Sequence, residues 1–171
     1  MALDGDSIAL DVGTTTVEVA RALLGKRNLT IVTPSLHIAN LFLNQPDTRL
    51  IVTGGIARAV EGSLIGDLTA YAFRQLFVDR LFLGVASLDA TAGLTEYNWE
   101  DAIVKQQMIA SAKEVIVVAD SAKFDKVAFA HVADFKQVHR LVTDRLPSQP
   151  LLDVIRNAGI SVHVVGEHDE L

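Results

Sequence analysis

The segment Asp11-Val-Gly-Thr-Thr-Thr16 concentrates the residue types that an anion requires. A glycine lets the backbone approach closely, and three threonines offer hydroxyls. The helical pattern that follows supplies unpaired N–H groups at the positive end of its dipole. Gly13, Thr14, Thr15 and Thr16 are therefore candidates to hold a phosphate, with Asp11 beside them. A plainer reading is open at this point, since threonines also satisfy a helix start. The segment matches neither the dinucleotide fingerprint G-x-G-x-x-G nor the phosphate loop G-x-x-x-x-G-K-[ST].

Four further β-rich runs end in small or polar residues: Thr33-Pro-Ser35, Gly54-Gly55, Gly84-Val-Ala-Ser-Leu-Asp89 and Asp120-Ser-Ala-Lys-Phe124. Each alone reads as a cap or a turn. Together they point to one pocket at the carboxyl ends of strands, where open α/β sheets bind ligands. Thr33, Ser35, Gly54, Gly55, Gly84, Asp120 and Lys123 join the candidates on that ground. Lys123 is the main cation among them and suits a phosphate or a sugar hydroxyl, although most lysines are simply solvated. Asp101 and Lys105 stand four apart on a helical stretch. That spacing predicts a surface ion pair of about 0.2–0.5 kcal/mol; the alternative is that both face a ligand. His37, His131, His139, His163 and His168 show no metal-ligand spacing, and His37, in an apolar helix, is expected to be packed or hydrogen-bonded. Tyr97 and Trp99 suit stacking on a sugar or covering the core.

The elements that position these residues alternate. Strand-like runs cover residues 7–12, 29–33, 49–53, 80–86, 114–119, 140–143 and 161–165, and several are continuously apolar, as in a parallel sheet covered on both faces. Helical patterns cover 14–24, with Val17, Ala20 and Leu24 on one face and Leu23 beside them, and 35–43, capped by Ser35 and apolar nearly all round. Others run from a cap at Asp67 to Leu76, over 100–112 with Val104, Met108 and Ala112 in register, and over 148–157 with Gly159 just beyond. Strand and helix in alternation predict an open, mostly parallel α/β sheet with helices on both faces and right-handed crossovers. Residues 54–66 and 87–98 read as loops or small hairpins beside it. Residues 151–165 are expected at a sheet edge or a subunit contact.

Composition sets outer bounds. The 171 residues fit one domain. Without cysteine there is no disulfide, zinc-thiolate or thiol nucleophile. A balance of 15 Lys+Arg against 21 Asp+Glu gives a net charge of −6, which opposes nucleic-acid contact by this segment. No apolar run approaches the roughly 20 residues of a membrane span, and the first six residues lack the pattern of a signal peptide. A mean hydropathy of +0.32 excludes a disordered chain. No membrane partner and no cofactor are expected.

The chain resembles the C-terminal effector-sensing domain of the DeoR-type bacterial repressors of sugar catabolism. The residues that carry the resemblance are Leu10-Asp-Val-Gly-Thr-Thr-Thr16, Thr30-Ile-Val-Thr-Pro-Ser35, Val52-Thr-Gly-Gly55, Gly62-Ser-Leu-Ile-Gly66, Asp79-Arg-Leu-Phe-Leu-Gly84, Gly93-Leu-Thr95, Asp101-Ala-Ile-Val-Lys105 and Asp120-Ser-Ala-Lys-Phe124. The resemblance implies a fold similar to ribose-5-phosphate isomerase and a phosphorylated sugar or related metabolite as effector. It places the phosphate on Gly13 to Thr16, with Asp11 anchoring the loop. Lys105 and Lys123 would supply positive charge, and Asp101 and Asp120 would orient them or bind hydroxyls. The family usually has Asn at Pro34, Glu at Asp101 and Ser at Ala122, and often Gly at Ser87, so the shorter Asp101 carboxylate and the bulk of Ser87 bear on effector preference.

The expected protein is thus a cytoplasmic, self-associating regulator's sensor domain and not an enzyme. Its winged helix-turn-helix DNA reader would lie outside this chain, as in an excised domain. A sugar-phosphate isomerase on the same fold is the alternative, with Asp101, Lys105, Asp120 and Lys123 as possible acid–base groups. Asp11-Val-Gly-Thr-Thr also looks like the first phosphate motif of the actin and sugar-kinase ATP-binding fold, where that motif lies in a β-hairpin.

Overall fold

A computed structural model describes residues 3–165. In chain order the strands are β1 (Ser7–Leu10), β2 (Leu29–Thr33), β3 (Thr48–Val52), β4 (Ile56–Arg58), β5 (Ser63–Ile65), β6 (Val78–Leu83), β7 (Ser87–Asp89), β8 (Gly93–Glu96), β9 (Ala112–Val118), β10 (Ala130–Ala133), β11 (Arg140–Thr143) and β12 (Ser161–Val164). The α-helices are α1 (Thr14–Leu23), α2 (Leu36–Phe42), α3 (Asp67–Arg74), α4 (Trp99–Ser111) and α5 (Gln149–Asn157). His168 and residues 1–2 of the amino terminus lie outside the described residues.

Seven strands form one sheet in the order β12-β11-β9-β6-β1-β2-β3, and every pair in it is parallel. The continuously apolar runs have the expected cause. Ala9, Leu81, Leu83, Val115 and Val117 face one core with α3, α4 and α5, while Ile8, Leu10, Phe82, Ile116 and Val118 face the other with α1 and α2. Both faces are covered, so both sets of alternating side chains are apolar. β12 is an edge strand, and Leu151, Leu152 and Ile155 of α5 pack into the first core.

The two irregular stretches are hairpins: β4–β5, and β7–β8 extended by β10 into a three-stranded antiparallel sheet. β10 had no distinct sequence signal. Several local expectations change. α1 buries Thr16, Ala20 and Leu23, and Leu24 is its half-exposed C-cap. Ser35 caps α2 by accepting from the Ile38 N–H at 3.2 Å. That helix is nevertheless half exposed through Leu36, His37 and Asn40, because it covers only one side of the sheet. Gly66, not Asp67, is the N-cap of α3. Ala112 opens β9 rather than closing α4.

Candidate ligand cavity

The chain leaves β1 toward β2 and β3 on one side and returns to β1's other side as β6. The carboxyl ends of β1 and β6 therefore diverge at a topological switch point. A cavity of about 390 Å³ opens there, within the range of small-molecule sites.

Its floor is a buried charge cluster. Asp11 follows β1 directly, and its Oδ2 accepts the Gly84 N–H at 3.0 Å, tying the β1 exit to the β6 exit. Lys105 reaches the same place from α4. Its Nζ donates to Asp11 Oδ2 at 2.7 Å and to the Gly84 carbonyl at 2.8 Å, and contacts Glu96 Oε2 at 3.1 Å. All three ammonium hydrogens are thereby committed. Burial alone would draw the Lys105 ammonium down, but Asp11 and Glu96 outweigh it and hold it above its ordinary value. Burial likewise pushes the Asp11 carboxyl up against the opposing pull of Lys105. The spacing-based ion pair between Asp101 and Lys105 is not made. The helix turns Lys105 inward, while Asp101 stays near the mouth and pairs with Arg58.

One wall is the start of α1. Gly13 is its N-cap at φ 128, a conformation that favours glycine, and no side chain caps the helix. The first backbone bond of the helix runs from the Val17 N–H to the Gly13 carbonyl. Among the described residues no acceptor receives the N–H groups of Thr14, Thr15 or Thr16. Thr14 and Thr15 are exposed; Thr16 is buried and donates its hydroxyl to the Gly13 carbonyl at 2.8 Å. The first turn contains no acidic side chain, so the positive end of the dipole faces the cavity uncompensated. Because α1 follows β1 at once and β1 pairs only in parallel, the ATP-binding hairpin is not formed.

The opposite wall holds Asp120 and Lys123. Asp120 Oδ1 accepts the Ala122 N–H at 3.0 Å, capping a short 3-10 turn over Ser121–Lys123. Among the described residues no carboxylate lies within ion-pair distance of Lys123. Arg58 and Glu61 from the β4–β5 hairpin, Tyr97, and the α4 cap Asn98 close the mouth.

The structure thus brings Gly13, Thr14, Thr15, Thr16, Gly84, Asp101, Lys105, Asp120 and Lys123 to one cavity, with Asp11 beneath. It does not bring Thr33, Ser35, Gly54 or Gly55 there. Thr33 donates its hydroxyl to the Leu10 carbonyl at 2.7 Å and accepts the Ser35 N–H, bracing the β1–β2 exit. Ser35 caps α2. The Gly54 carbonyl accepts from Thr69 Oγ1 at 2.6 Å, and Gly55 lies so close to Thr69 and Ile65 that a side chain cannot fit. Ser87 is buried against Thr95 Oγ1 at 3.0 Å and does not line the cavity. His37 is exposed beside Gly62, and Trp99 is exposed outside the lining.

Arg58, Glu61, Glu96, Tyr97 and Asn98 were not singled out as polar lining groups from sequence, Tyr97 excepted as a possible stacking residue. Lys105 had a readable signal. It shares one face of α4 with Ala102, Met108 and Ile109, all buried.

The chain matches the family model of the DeoR C terminal sensor domain over residues 1–145. It belongs to that family. The sensor domain is 30% identical over 161 residues to the glycerol-3-phosphate regulon repressor of Escherichia coli (strain K12), covering 94% of this chain and 64% of that protein. It is 36% identical to the transcriptional repressor AccR of Agrobacterium fabrum, covering 84% of this chain and 56% of that protein. The chain therefore spans between about half and two thirds of the length of these relatives. Among solved structures, RipA from Yersinia pestis superposes with a TM-score of 0.52 at 13% identity, covering 91% of this chain and 48% of that one, which shows the fold alone. These relatives are transcriptional repressors, and the family model that the chain matches is that of their sensor domain. No helix of the described residues is long and apolar enough to cross a membrane.

Proposed function

We propose that the cavity binds a phosphorylated sugar or a related phosphorylated metabolite, and that the bound state biases DNA binding by a cytoplasmic regulator of which this domain forms part. The observation that carries this reading is the start of α1. Three consecutive N–H groups without acceptors among the described residues, at a dipole end with no acidic side chain in the first turn, face the same cavity as Lys123. Asp120 and Glu96 supply acceptors for sugar hydroxyls. Self-association fits the exposed apolar side chains Leu68, Tyr71, Phe77 and Trp99. For signal to pass, the effector must favour one conformation or assembly over another.

A thermal-shift comparison tests the reading. A phosphorylated sugar at about 100 times its Kd stabilises by about 2.7 kcal/mol, a rise in Tm of roughly 5–10 °C for a domain of this size. The dephosphorylated sugar is expected to do far less. Equal shifts from both would remove the phosphate from the reading.

A further inference from the structure

The cavity carries more negative than positive charge. Arg58, Lys105 and Lys123 face Glu61, Glu96, Asp101 and Asp120, with Asp11 beneath them. A phosphate entering that lining finds Lys123 without a carboxylate partner among the described residues, but the remaining charges still sum to a net repulsion that falls only if a second cation changes partner. Lys105 is unable to do so, because its ammonium is almost wholly buried against Asp11, which is buried as well and would be stranded without it. Arg58 is differently placed. Its Nη1 holds Asp101 and its Nη2 holds Glu61 at 2.8 Å. Glu61, at 49% side-chain exposure, stands where water can receive it, and Asp101, at 15%, sits in the first turn of α4, where the positive end of the helix compensates its charge. The planar guanidinium suits a phosphate as well as it suits a carboxylate.

We propose that the anionic group of the effector displaces Asp101 from Arg58, making the Arg58–Asp101 ion pair the contact that registers occupancy. This rests on the reading of the cavity as a phosphate site. Arg58 lies on β4 and Asp101 in the first turn of α4, and theirs is the one ion pair among the described residues between the hairpin and that helix. Exchange therefore removes the one ion pair that joins hairpin to helix among the described residues, while β5 still packs on α4. In this scheme Asp101 competes with the ligand rather than binding its hydroxyls, which reverses the sign of its mutational effect.

Isothermal titration of the domain with inorganic phosphate, glycerol 3-phosphate, ribose 5-phosphate and fructose 6-phosphate tests this, with urea midpoints confirming that each variant is folded. Asp101→Asn is expected to tighten the phosphorylated probes that bind the wild type by roughly three- to tenfold. Arg58→Gln is expected to weaken them by about tenfold or more, the scale of one charge-assisted hydrogen bond. In an Arg58→Gln background, Asp101→Asn is expected to change nothing. Glu61→Gln serves as a second, more exposed variant, with the same direction as Asp101→Asn and a smaller gain. Weaker binding in Asp101→Asn overturns the exchange and restores Asp101 as a ligand group. An equal gain in the Arg58→Gln background reduces the effect to general repulsion and also overturns it. If the wild type binds none of these probes, the phosphate reading falls and takes the exchange with it.

Discussion

Lys105 Nζ lies 2.7 Å from Asp11 Oδ2, and both side chains are almost wholly buried, at 4% and 2% exposure. The pair joins α4 to the β1 exit, and the Gly84 N–H and carbonyl bring in the β6 exit. It is the internal fastener of the switch point, not a free cation awaiting a ligand. Removing one partner of a buried pair costs about 3–5 kcal/mol, because the other charge is left without compensation. Lys105→Met is expected to lose that much in urea denaturation, since it strands both Asp11 and Glu96. Asp11→Asn is expected to lose less, since Glu96 still faces the ammonium. A loss below about 1 kcal/mol for Lys105→Met would mean that the cluster is not structural.

Lys105 and a carboxylate outside this cluster, Asp79, set opposite pH limits. Lys105 is held above its ordinary value of 10.5, so its contribution is complete below that pH and disappears as pH rises through the higher folded-state value. The urea midpoint should fall in that range, and less steeply in Lys105→Met. Asp79 works on the acid side. Lys113 at 2.7 Å, together with the Ser7 hydroxyl and N–H, holds its carboxyl far below 3.8. Its contribution is complete above pH 3.8 and is lost as pH falls through the lower folded-state value. Asp79→Asn should flatten the acid limb of the wild-type midpoint curve, and an unchanged limb would exclude this group.

The sheet was readable because each of its strands is short, apolar and followed by a helix pattern or a turn. The start of α1 was readable because Gly13 and the threonines advertise themselves in consecutive positions. Arg58 was not, since it belongs to a three-residue strand with no periodicity, and its significance comes from a partner 43 residues away. Glu96 likewise acquires its place only when β8 folds against α4. The Asp101–Lys105 expectation failed for a different reason: helical spacing says which residues are neighbours, but burial decides which way each side chain turns. The small residues after β2 and β3 look like the ligand loops yet serve close packing, a distinction set by tertiary distance.

Gly55 makes that distinction measurable. A Cβ there would lie 2.2 Å from Thr69 Oγ1 and 2.5 Å from the Ile65 carbonyl oxygen, on a backbone at φ 119. Strain and overpacking together predict a loss of about 2–5 kcal/mol for Gly55→Ala. Gly159 is the control. It ends α5 at φ 76, but a Cβ there meets nothing within 4 Å, so Gly159→Ala should cost only about 1–2 kcal/mol of backbone strain. Equal losses in chemical denaturation would deny Gly55 its packing role.

Lys123 provides the complementary measurement at the ligand wall. Its ammonium has no carboxylate within ion-pair distance among the described residues, so Lys123→Met removes a charge without stranding a partner. Stability should change by less than about 0.5 kcal/mol, as for surface substitutions generally. Affinity for a phosphorylated effector should fall about tenfold, and affinity for its dephosphorylated form should stay constant, because only a charged acceptor gains a charge-assisted bond. Ionic strength separates this contribution from that of the helix start. Charges open to solvent are screened beyond about 8 Å at 0.15 M salt, so the wild-type affinity should weaken with added salt more steeply than that of Lys123→Met. Parallel salt curves for the two proteins would place the phosphate on the Thr14–Thr16 amides without help from Lys123.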